Sequence, residues 1–526
     1  MLMSSSDYRE SLRRSKPRVY VNGQAVESVA DEPLLAPGVN AIGLTYDLAL
    51  REELRPVMRA QLVGGGEVNR MLAIPAGSQD LLNKLEAVRL VCQETGCAQR
   101  YLAGDAMSAM RMAARRMDAE GKTEYAARTE AWIEHVQSSD LAIGIAMTDG
   151  KGDRSLRPHA QANPDAYVRI AERNARGIVI SGAKAIVTGA PYMHELLVMP
   201  CRNMAEADKD YAVCCAVPID AEGLTLVSRP AGRPGDAGAK FTGKFGQSTA
   251  VAIFDDVFVP WERVFLAGEW QHSAFLTYSY ATHHRHTCIG ARAGFGDLLI
   301  GAGALMTEAN GIDLDEAPNL RGQMVDLIKI VEGYYACGVA ASVYCTQDEA
   351  GVSLPDAVFA NIGKLLLATQ IYDMHRIAHH VSGGLIVALP GPDEDHNPAT
   401  AGRLSDLLGG RSDIPYEKRI AIARMIEDLT ASNQGGWYSV ISLHGGGSPE
   451  AMQMEIWRNY PLGNKVDLVE RLLEHDILGD EARKIARNRQ PGRCCAQGCQ
   501  VPDAPQMMPI PAPAPRDAVR LVKKAS

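Results

Sequence analysis

The sequence predicts an α+β protein in which a β domain lies between two mainly helical regions. Residues 81–96 and 106–137 combine helix-forming composition with apolar residues at helical spacing. From residue 141 onward the pattern changes to short apolar runs separated by glycine, proline and aspartate. Later in the chain apolar residues such as Met324, Leu327 and Val331 again recur at helical spacing.

These changes of pattern divide the chain into four predicted segments, and its 526 residues agree with about three globular domains. The last segment is rich in proline and carries three cysteines that lack a fourth nearby metal ligand. The segments are a mainly helical domain over residues 1–140, a β domain over 141–275, a helical bundle over 276–490 and a tail over 491–526.

Individual elements follow from local signals. Asn22-Gly23 is a dipeptide preferred in two-residue hairpin turns, and residues 173–177 separate two apolar runs in the same way. Residues 288–306 have helical spacing but contain five glycines. Because each glycine costs a helix about 1 kcal/mol, this number indicates close approach by another helix or by a cofactor.

The overall composition excludes several classes of protein. A formal net charge of −9, with no basic run interleaved with aromatic residues, argues against nucleic-acid binding. The first residues lack the apolar core of a signal peptide, and we find no apolar run of about 18 residues that would span a membrane. We therefore expect a cytoplasmic enzyme or binding protein, with thiols that are mostly buried.

The stretch from residue 145 to 191 holds the first candidate site. It begins with the polar turn IAMTDGKGDRSLRP after an apolar strand, and it ends with the strand GAKAIVTGAP. Free backbone N–H groups and a threonine hydroxyl at strand ends suit the hydrogen-bonding rim of a planar cofactor. Two ordinary hairpin turns would give the same pattern.

Four motifs carry a resemblance to a known superfamily: MTDGKGDRSLRP, GAKAIVTGA, KDYAVCCAVPIDAEGLTLV and FDDVFVPWERVF. They resemble 4-hydroxybutyryl-CoA dehydratase and, more distantly, the oxygenase component of 4-hydroxyphenylacetate 3-hydroxylase. The resemblance runs from about residue 38 to about residue 478. It implies an acyl-CoA dehydrogenase-like fold with a middle β-barrel, an FAD site, a homotetramer, and a substrate held between the flavin and the helices.

The resemblance also implies which residues contact FAD. Lys151 and Arg154 could instead pair with Asp149 and Asp153 to hold the loop, and a helix C-cap is an alternative for the later glycine pair. That glycine pair would approach the cofactor of a neighbouring subunit. The implied FAD contacts are Met147, Thr148, Lys151, Arg154, Thr188, Gly189, Gly383 and Gly384.

The implied catalytic residues are Arg100, Tyr101, His284 and Cys288. Cys97 and His284 match two of the four residues that bind a [4Fe–4S] cluster in the dehydratase. The other two positions hold Tyr101 and Ala291. Because a cubane cluster needs four suitable ligands, we expect no iron–sulfur cluster and no other metal.

Further positions depart from one relative or the other. The acid/base tyrosine, a lysine and a glutamate of the dehydratase fall on Cys288, Arg292 and Ile441. Arg100 matches an active-site arginine of the hydroxylase, whose histidine and tyrosine fall on Ile145 and Gly104. A phenolic proton would then pass to another group, for which His283, His284, His286, Tyr101 and Cys288 are the candidates.

The leading functional hypothesis is the oxygenase component of a two-component monooxygenase. It would receive FADH2 from a separate flavin reductase and hydroxylate an aromatic or related small substrate. No nicotinamide-binding glycine motif follows a predicted strand, which agrees with reduction by another protein. The alternatives are a flavin-dependent acyl-CoA dehydratase or isomerase that works without a cluster, and a flavin-binding scaffold without activity.

Overall fold

The computed structural model describes residues 2–62, 65–121 and 123–473. The helix predicted over residues 81–96 is present, whereas the helical stretch 106–137 is divided in two. The chain leaves the helical conformation at Gly121, and the Asp118 carboxylate caps the next helix by accepting the N–H groups of Tyr125 and Ala126. The helices of this region are α1 (Ser5–Arg14), α2 (Ala36–Leu50), α3 (Arg55–Met58), α4 (Ser78–Thr95), α5 (Leu102–Glu120) and α6 (Tyr125–Ser138).

Most strands belong to two sheets. The six-stranded sheet has the order β2-β1-β10-β11-β7-β6, and the four-stranded sheet has the order β12-β9-β8-β5. The strands are β1 (Arg18–Val21), β2 (Gln24–Ala25), β3 (Arg59–Gln61), β4 (Glu67–Asn69), β5 (Ile143–Ala146), β6 (Arg169–Asn174), β7 (Gly177–Thr188), β8 (Glu195–Val198), β9 (Val213–Pro218), β10 (Leu224–Ser228), β11 (Thr249–Pro260) and β12 (Val264–Ala267), with β13 (Thr346–Gln347) and β14 (Ser353–Leu354) as a small later pair.

Both predicted hairpins are confirmed, since β1 pairs with β2 and β6 pairs with β7. The implied barrel is not confirmed, because no strand pairing within the described residues joins the two sheets into a closed ring. A further difference lies at the N-terminus, where β1 pairs in parallel with β10. The mainly helical first region therefore contributes two strands to the sheet of the β domain.

The later helices surround α7, which packs against α4, α5, α8, α9 and α11. A side chain at Gly290 would meet the backbone carbonyl of Leu85 on α4 at 2.6 Å, so this glycine allows close helix packing as predicted. These helices are α7 (Ser273–Ala309), α8 (Pro318–Val343), α9 (Ala357–Val381), α10 (Ala401–Leu408), α11 (Tyr416–Thr430), α12 (Asn433–His444) and α13 (Pro449–Asn459).

The chain divides into a large unit that ends at Asn459 and a second unit that begins at Tyr460. In the second unit the structure describes α14 (Leu462–Leu473), and the predicted cysteine-containing tail lies outside the described residues. The segment Trp270–Ala309 is long and apolar enough to span a membrane by length and composition, and 67% of its most apolar window is buried within the fold. This burial is typical of a core helix.

Candidate active site

His284 lies in a closely packed aromatic and thiol environment. Its imidazole stacks on Tyr280, with ring centroids 5.5 Å apart, and on Tyr101 at 6.5 Å. The Cys288 thiol, one helical turn along α7, lies 3.6 Å from Nε2. Three of the four predicted catalytic residues, Tyr101, His284 and Cys288, are thus in contact around one imidazole.

The neighbouring histidines have other surroundings. Nε2 of His286 is hydrogen-bonded to the Ser342 hydroxyl at 2.7 Å, which holds this ring against α8. His283 is 1% exposed, and burial together with Lys84 and His286 lowers its pKa well below the usual value. Adjacent residues on a helix point about 100° apart, which explains why only His284 faces Tyr101 and Cys288.

A buried ion pair lies next to the imidazole of His284. Lys84 on α4 pairs with Asp105 on α5 at 2.7 Å, and the Thr287 hydroxyl donates to the second carboxylate oxygen at 2.7 Å. That oxygen also lies 3.9 Å from Nδ1 of His284. Burial, followed by the charges of Lys364, Arg285 and Lys84, lowers the pKa of His284 to about 3. The imidazole is therefore neutral at pH 7, and Asp105 is placed to stabilise it if it gains a proton.

Cys97 pairs with an arginine. Nη2 of Arg292 lies 3.4 Å from the Cys97 sulfur, and both residues are buried. A hydrogen bond from the Cys92 thiol, together with the charge of Arg292, lowers the pKa of Cys97 to about 7 although burial opposes this. Nη1 of Arg292 and the hydroxyl of Tyr438 are buried without a hydrogen-bond partner among the described residues.

Arg100 has a different setting from the other predicted catalytic residues. Its guanidinium pairs with Asp140 at 2.5 Å and lies over the ring of Tyr46, 3.6 Å from the centroid. The residue is fully buried, and these contacts join the segment before α5 to α2 and to the end of α6. They give Arg100 a structural role, and its catalytic role stays a prediction.

The structure adds two cations that the sequence patterns did not single out as site residues. Lys364 on α9 is fully buried, and its ammonium donates to the Ser442 carbonyl at 2.6 Å. Arg285 donates through Nε to the Gly446 carbonyl at 2.8 Å. Burial lowers the pKa of Lys364 to about 8. A lysine within the apolar run NIGKLLLAT was the available signal, because such a lysine lies on a buried helix face.

The predicted flavin-facing residues lie around the end of β7. The Lys184 ammonium donates to the carbonyls of Met147 and Met199 at 2.9 and 2.8 Å and pairs with Asp149 at 2.7 Å. The Thr148 carbonyl accepts the N–H of Ala185 at 2.8 Å. Asp149 therefore pairs with Lys184 rather than with Lys151, and the alternative in which Lys151 neutralises it is wrong.

Some hydrogen-bonding groups at this strand end have no partner among the described residues. Within the described residues, the N–H groups of Met147 and Thr148 and the hydroxyl of Thr188 make no hydrogen bond. Met147 and Thr148 are half-buried, and Gly189 has a φ of 76°, in the left-handed region where a side chain is strained. Unused donors on a half-buried strand edge fit the rim of an isoalloxazine ring.

The other predicted FAD contacts are more exposed. Lys151 has a φ of 72° and is half-buried, whereas Arg154 is exposed in a turn where Asp153 accepts from Ser155. Gly383 and Gly384 follow α9 with positive φ values, and a side chain at either would meet nothing within 4 Å. Both the helix C-cap and an approach to a neighbouring subunit's cofactor agree with this position.

The strand end and the His284 environment are neighbours through residues 247 and 248. The Gln247 amide donates to the Cys97 carbonyl at 3.0 Å, and the Ser248 carbonyl accepts the N–H of Gly189 at 3.0 Å. A second link runs through Trp437, whose ring N–H donates to Thr249. The two groups of predicted residues therefore belong to one region of the fold.

Comparison with solved structures defines the fold as that of FAD-binding oxygenases and a related dehydratase. An oxygen-tolerant 4-hydroxybutyryl-CoA dehydratase from N. maritimus superposes with a TM-score of 0.87 and 34% identity, covering 91% of this chain and 97% of its own. The oxygenase component of 4-hydroxyphenylacetate 3-monooxygenase, complexed with FAD, superposes with a TM-score of 0.80 at 22% identity, covering 92% and 99%.

The family models describe the two parts of 4-hydroxyphenylacetate 3-hydroxylase, with the N-terminal model matching residues 4–266 and the C-terminal model residues 274–474. The chain belongs to this family. It is 32% identical to 4-hydroxybutyryl-CoA dehydratase/vinylacetyl-CoA-Δ-isomerase of Clostridium aminobutyricum, over 90% of this chain and 99% of the relative. It is 25% identical to the 4-hydroxyphenylacetate 3-monooxygenase oxygenase component of Thermus thermophilus, over 90% and 97%.

The residues near Cys97 do not fit an iron–sulfur cluster. The Arg292 guanidinium lies against the Cys97 sulfur, and within the described residues no group of three or more His, Cys, Asp or Glu side chains could hold a metal ion. A cubane cluster needs four ligands, mostly thiolates. An arginine in contact with the thiol adds positive charge where a cluster would need further thiolates.

Replacing Lys184 tests the strand end as a flavin site. In Lys184→Met we expect at least about tenfold weaker FAD binding, because the Met147–Asp149 segment loses its two contacts to the ammonium, at the Met147 carbonyl and the Asp149 carboxylate. Unfolding should also require about 3–5 kcal/mol less, since Asp149 is left buried and unpaired. Fluorescence titration with FAD and denaturant unfolding measure the two effects. Lys240→Met, at an exposed lysine, should change neither.

Proposed function

We propose that the protein is the oxygenase component of a two-component, FAD-dependent monooxygenase. A separate reductase would supply FADH2, the substrate would be an aromatic or related small molecule, and the assembly would be a homotetramer. The contact between Arg292 and Cys97 is the observation that carries this proposal, because it disfavours the cluster-dependent alternative. Two relatives that are named as oxygenase components of monooxygenases align over 90% and 85% of this chain, and they support the proposal.

FAD would be held at the end of β7 by Met147, Thr148, Thr188 and Gly189, with Lys184 fixing the loop. When bound in its reduced form, FAD supplies the two electrons that activate dioxygen. The protein's own contribution is orientation, proton transfer and exclusion of water.

His284 is the residue that would receive a proton or hydrogen bond from a phenolic substrate. Its imidazole is neutral at pH 7, and stacking on Tyr280 and Tyr101 fixes the plane of the ring. Asp105, at 3.9 Å from Nδ1, stabilises the protonated form, while the Lys84 ion pair holds this carboxylate in place. Near-complete burial of all these groups excludes water.

Oxygen-isotope labelling tests the proposed reaction. The protein is supplied with chemically reduced FAD, 4-hydroxyphenylacetate or another phenol, and ¹⁸O₂, and the product is analysed by mass spectrometry. We expect one ¹⁸O atom in the hydroxylated product, with water receiving the other. Unlabelled product, or no product from any phenol of a broad panel, would contradict the proposal.

The second candidate is an acyl-CoA dehydratase or isomerase that uses flavin without a cluster. Its support is the identity of 32–34% to dehydratases, which exceeds that to the oxygenase relatives described above. Anaerobic conversion of 4-hydroxybutyryl-CoA to crotonyl-CoA, followed by chromatography, distinguishes it from the oxygenase, because dehydration needs no dioxygen.

Iron analysis gives an independent prediction. After anaerobic reconstitution with iron and sulfide, we expect far less than the four irons per subunit of a cubane cluster, since Cys97 contacts Arg292 and positions 101 and 291 lack thiols. Colorimetric iron and acid-labile sulfide assays measure this. Stoichiometric iron with the visible absorbance of a cluster would show that the thiols rearrange, and it would favour the dehydratase candidate.

A further inference from the structure

A groove of about 580 Å³ runs between the first third of α7 and α13. Tyr278 and Ala281 on α7 and Met454 on α13 line this groove. Arg285 on α7 also lines it, and this arginine is 95% buried. The groove therefore brings solvent-accessible space to a guanidinium that directly follows His284 in the helix.

The positive charge of Arg285 has no close carboxylate partner in the described part of the chain. Its Nε and Nη1 donate to neutral acceptors, the Gly446 carbonyl and the Asn361 amide oxygen at 2.7 Å, while Nη2 makes no hydrogen bond there. Glu455 in the groove wall raises the pKa of Arg285, but burial lowers it more. A buried charge is normally paired, because leaving water costs several kcal/mol.

Lys364 adds a second positive charge at the same place. Its ammonium donates to the neutral Ser442 carbonyl at 2.6 Å, and among the residues described it too has no carboxylate within ion-pair distance. A Cβ atom at Gly446 would lie 3.4 Å from both Arg285 Cγ and His284 Cδ2, and 3.8 Å from Lys364 Cε. Two cations without a carboxylate in ion-pair contact thus converge beside His284.

We propose that the groove binds the carboxylate of a small organic acid, with Arg285 as the residue that anchors it. Lys364 adds positive electrostatic potential near Arg285. The reacting end of the acid faces His284. The position of the reacting end rests on the proposed function, whereas the preference for an anion depends only on the charges. Guanidinium suits this task because its fixed N–H groups match carboxylate oxygens.

Calorimetric binding of a matched pair of ligands, without flavin, reductase or dioxygen, tests the anion site. The pair is 4-hydroxyphenylacetate and its neutral amide, which have nearly the same shape. We expect the acid to bind the wild-type protein at least about tenfold more tightly than the amide. Arg285→Met should remove most of this preference and leave amide binding within about threefold.

Arg376→Met is the control, because Arg376 on α9 lies outside the groove, is 61% exposed and pairs with Asp373 at 3.2 Å. It should change acid binding by less than about threefold. Equal affinity for acid and amide in the wild-type protein, or no binding of the acid, would overturn the anion site even if Arg285→Met fails to fold. Acid preference without ¹⁸O in any product would instead contradict the proposed function alone.

Discussion

Lowering the pH from 7 to 5 should destabilise the folded protein by several kcal/mol. Burial is the main cause that lowers the pKa of His284 and His286 to about 3, and that of His194 and His375 to about 4. In the unfolded chain each histidine titrates near its usual value of 6.5. Below pH 6.5 the unfolded state therefore binds protons that the folded state does not, and stability falls as the pH falls.

The size of this destabilisation follows from the difference in histidine pKa between the folded and unfolded states. Each histidine whose pKa is lowered in this way contributes about 2 kcal/mol of destabilisation at pH 5. Since whole proteins are stable by only about 5–15 kcal/mol, four such groups should move the unfolding transition sharply between pH 6 and 5. Urea unfolding at several pH values, followed by circular dichroism, measures the free energy of unfolding.

His286→Gln provides the variant for this prediction. The glutamine amide can keep the hydrogen bond to Ser342, but it cannot titrate. The loss of stability between pH 7 and 5 should shrink by about 2 kcal/mol in this variant. His396→Gln, at an exposed histidine, should leave the loss within about 0.5 kcal/mol of the wild-type value. Equal pH dependence in all three proteins would contradict the assignment.

Local periodicity accounts for the parts of the fold that the sequence predicted well. The hairpin at Asn22-Gly23 and the helix α4 depend on neighbouring residues, and both are present. The pairing of β1 with β10 joins segments that are about 200 residues apart, and no local pattern records it. Similarly, the break at Gly121 depends on capping by Asp118, which a helical composition does not indicate.

The candidate site was predictable where a motif was specific. Tyr101, His284 and Cys288 came from aligned motifs, and the structure brings them into contact. Arg100 came from the same comparison, yet it pairs with Asp140, a residue whose position no motif indicated. Lys364 lies in an ordinary apolar helix, where only its burial in three dimensions marks it as a site residue.

Replacing His284 should have the largest effect on turnover if the proposed reaction is correct. His284→Gln keeps a hydrogen-bond acceptor of similar length but removes the proton acceptor. We expect the rate of hydroxylation to fall by a factor of about 10²–10⁴, with a smaller change in substrate affinity. Single-turnover measurements with reduced FAD, phenolic substrate and dioxygen follow this rate directly.

His286→Gln is the matched control, because it makes the same substitution two residues along α7 at a ring that bonds Ser342 instead. It should keep the wild-type rate within about threefold, since its side chain does not face Tyr101 or Cys288.

The wild-type rate should show no protonation step of His284 between pH 6 and 8, because its lowered pKa keeps the imidazole neutral there. Equal rates in both variants would assign proton transfer to a group other than His284, whereas a rate that falls in step with protonation near pH 6.5 would contradict its lowered pKa. Tyr101 would then be the next residue to replace, since it stacks on the same imidazole.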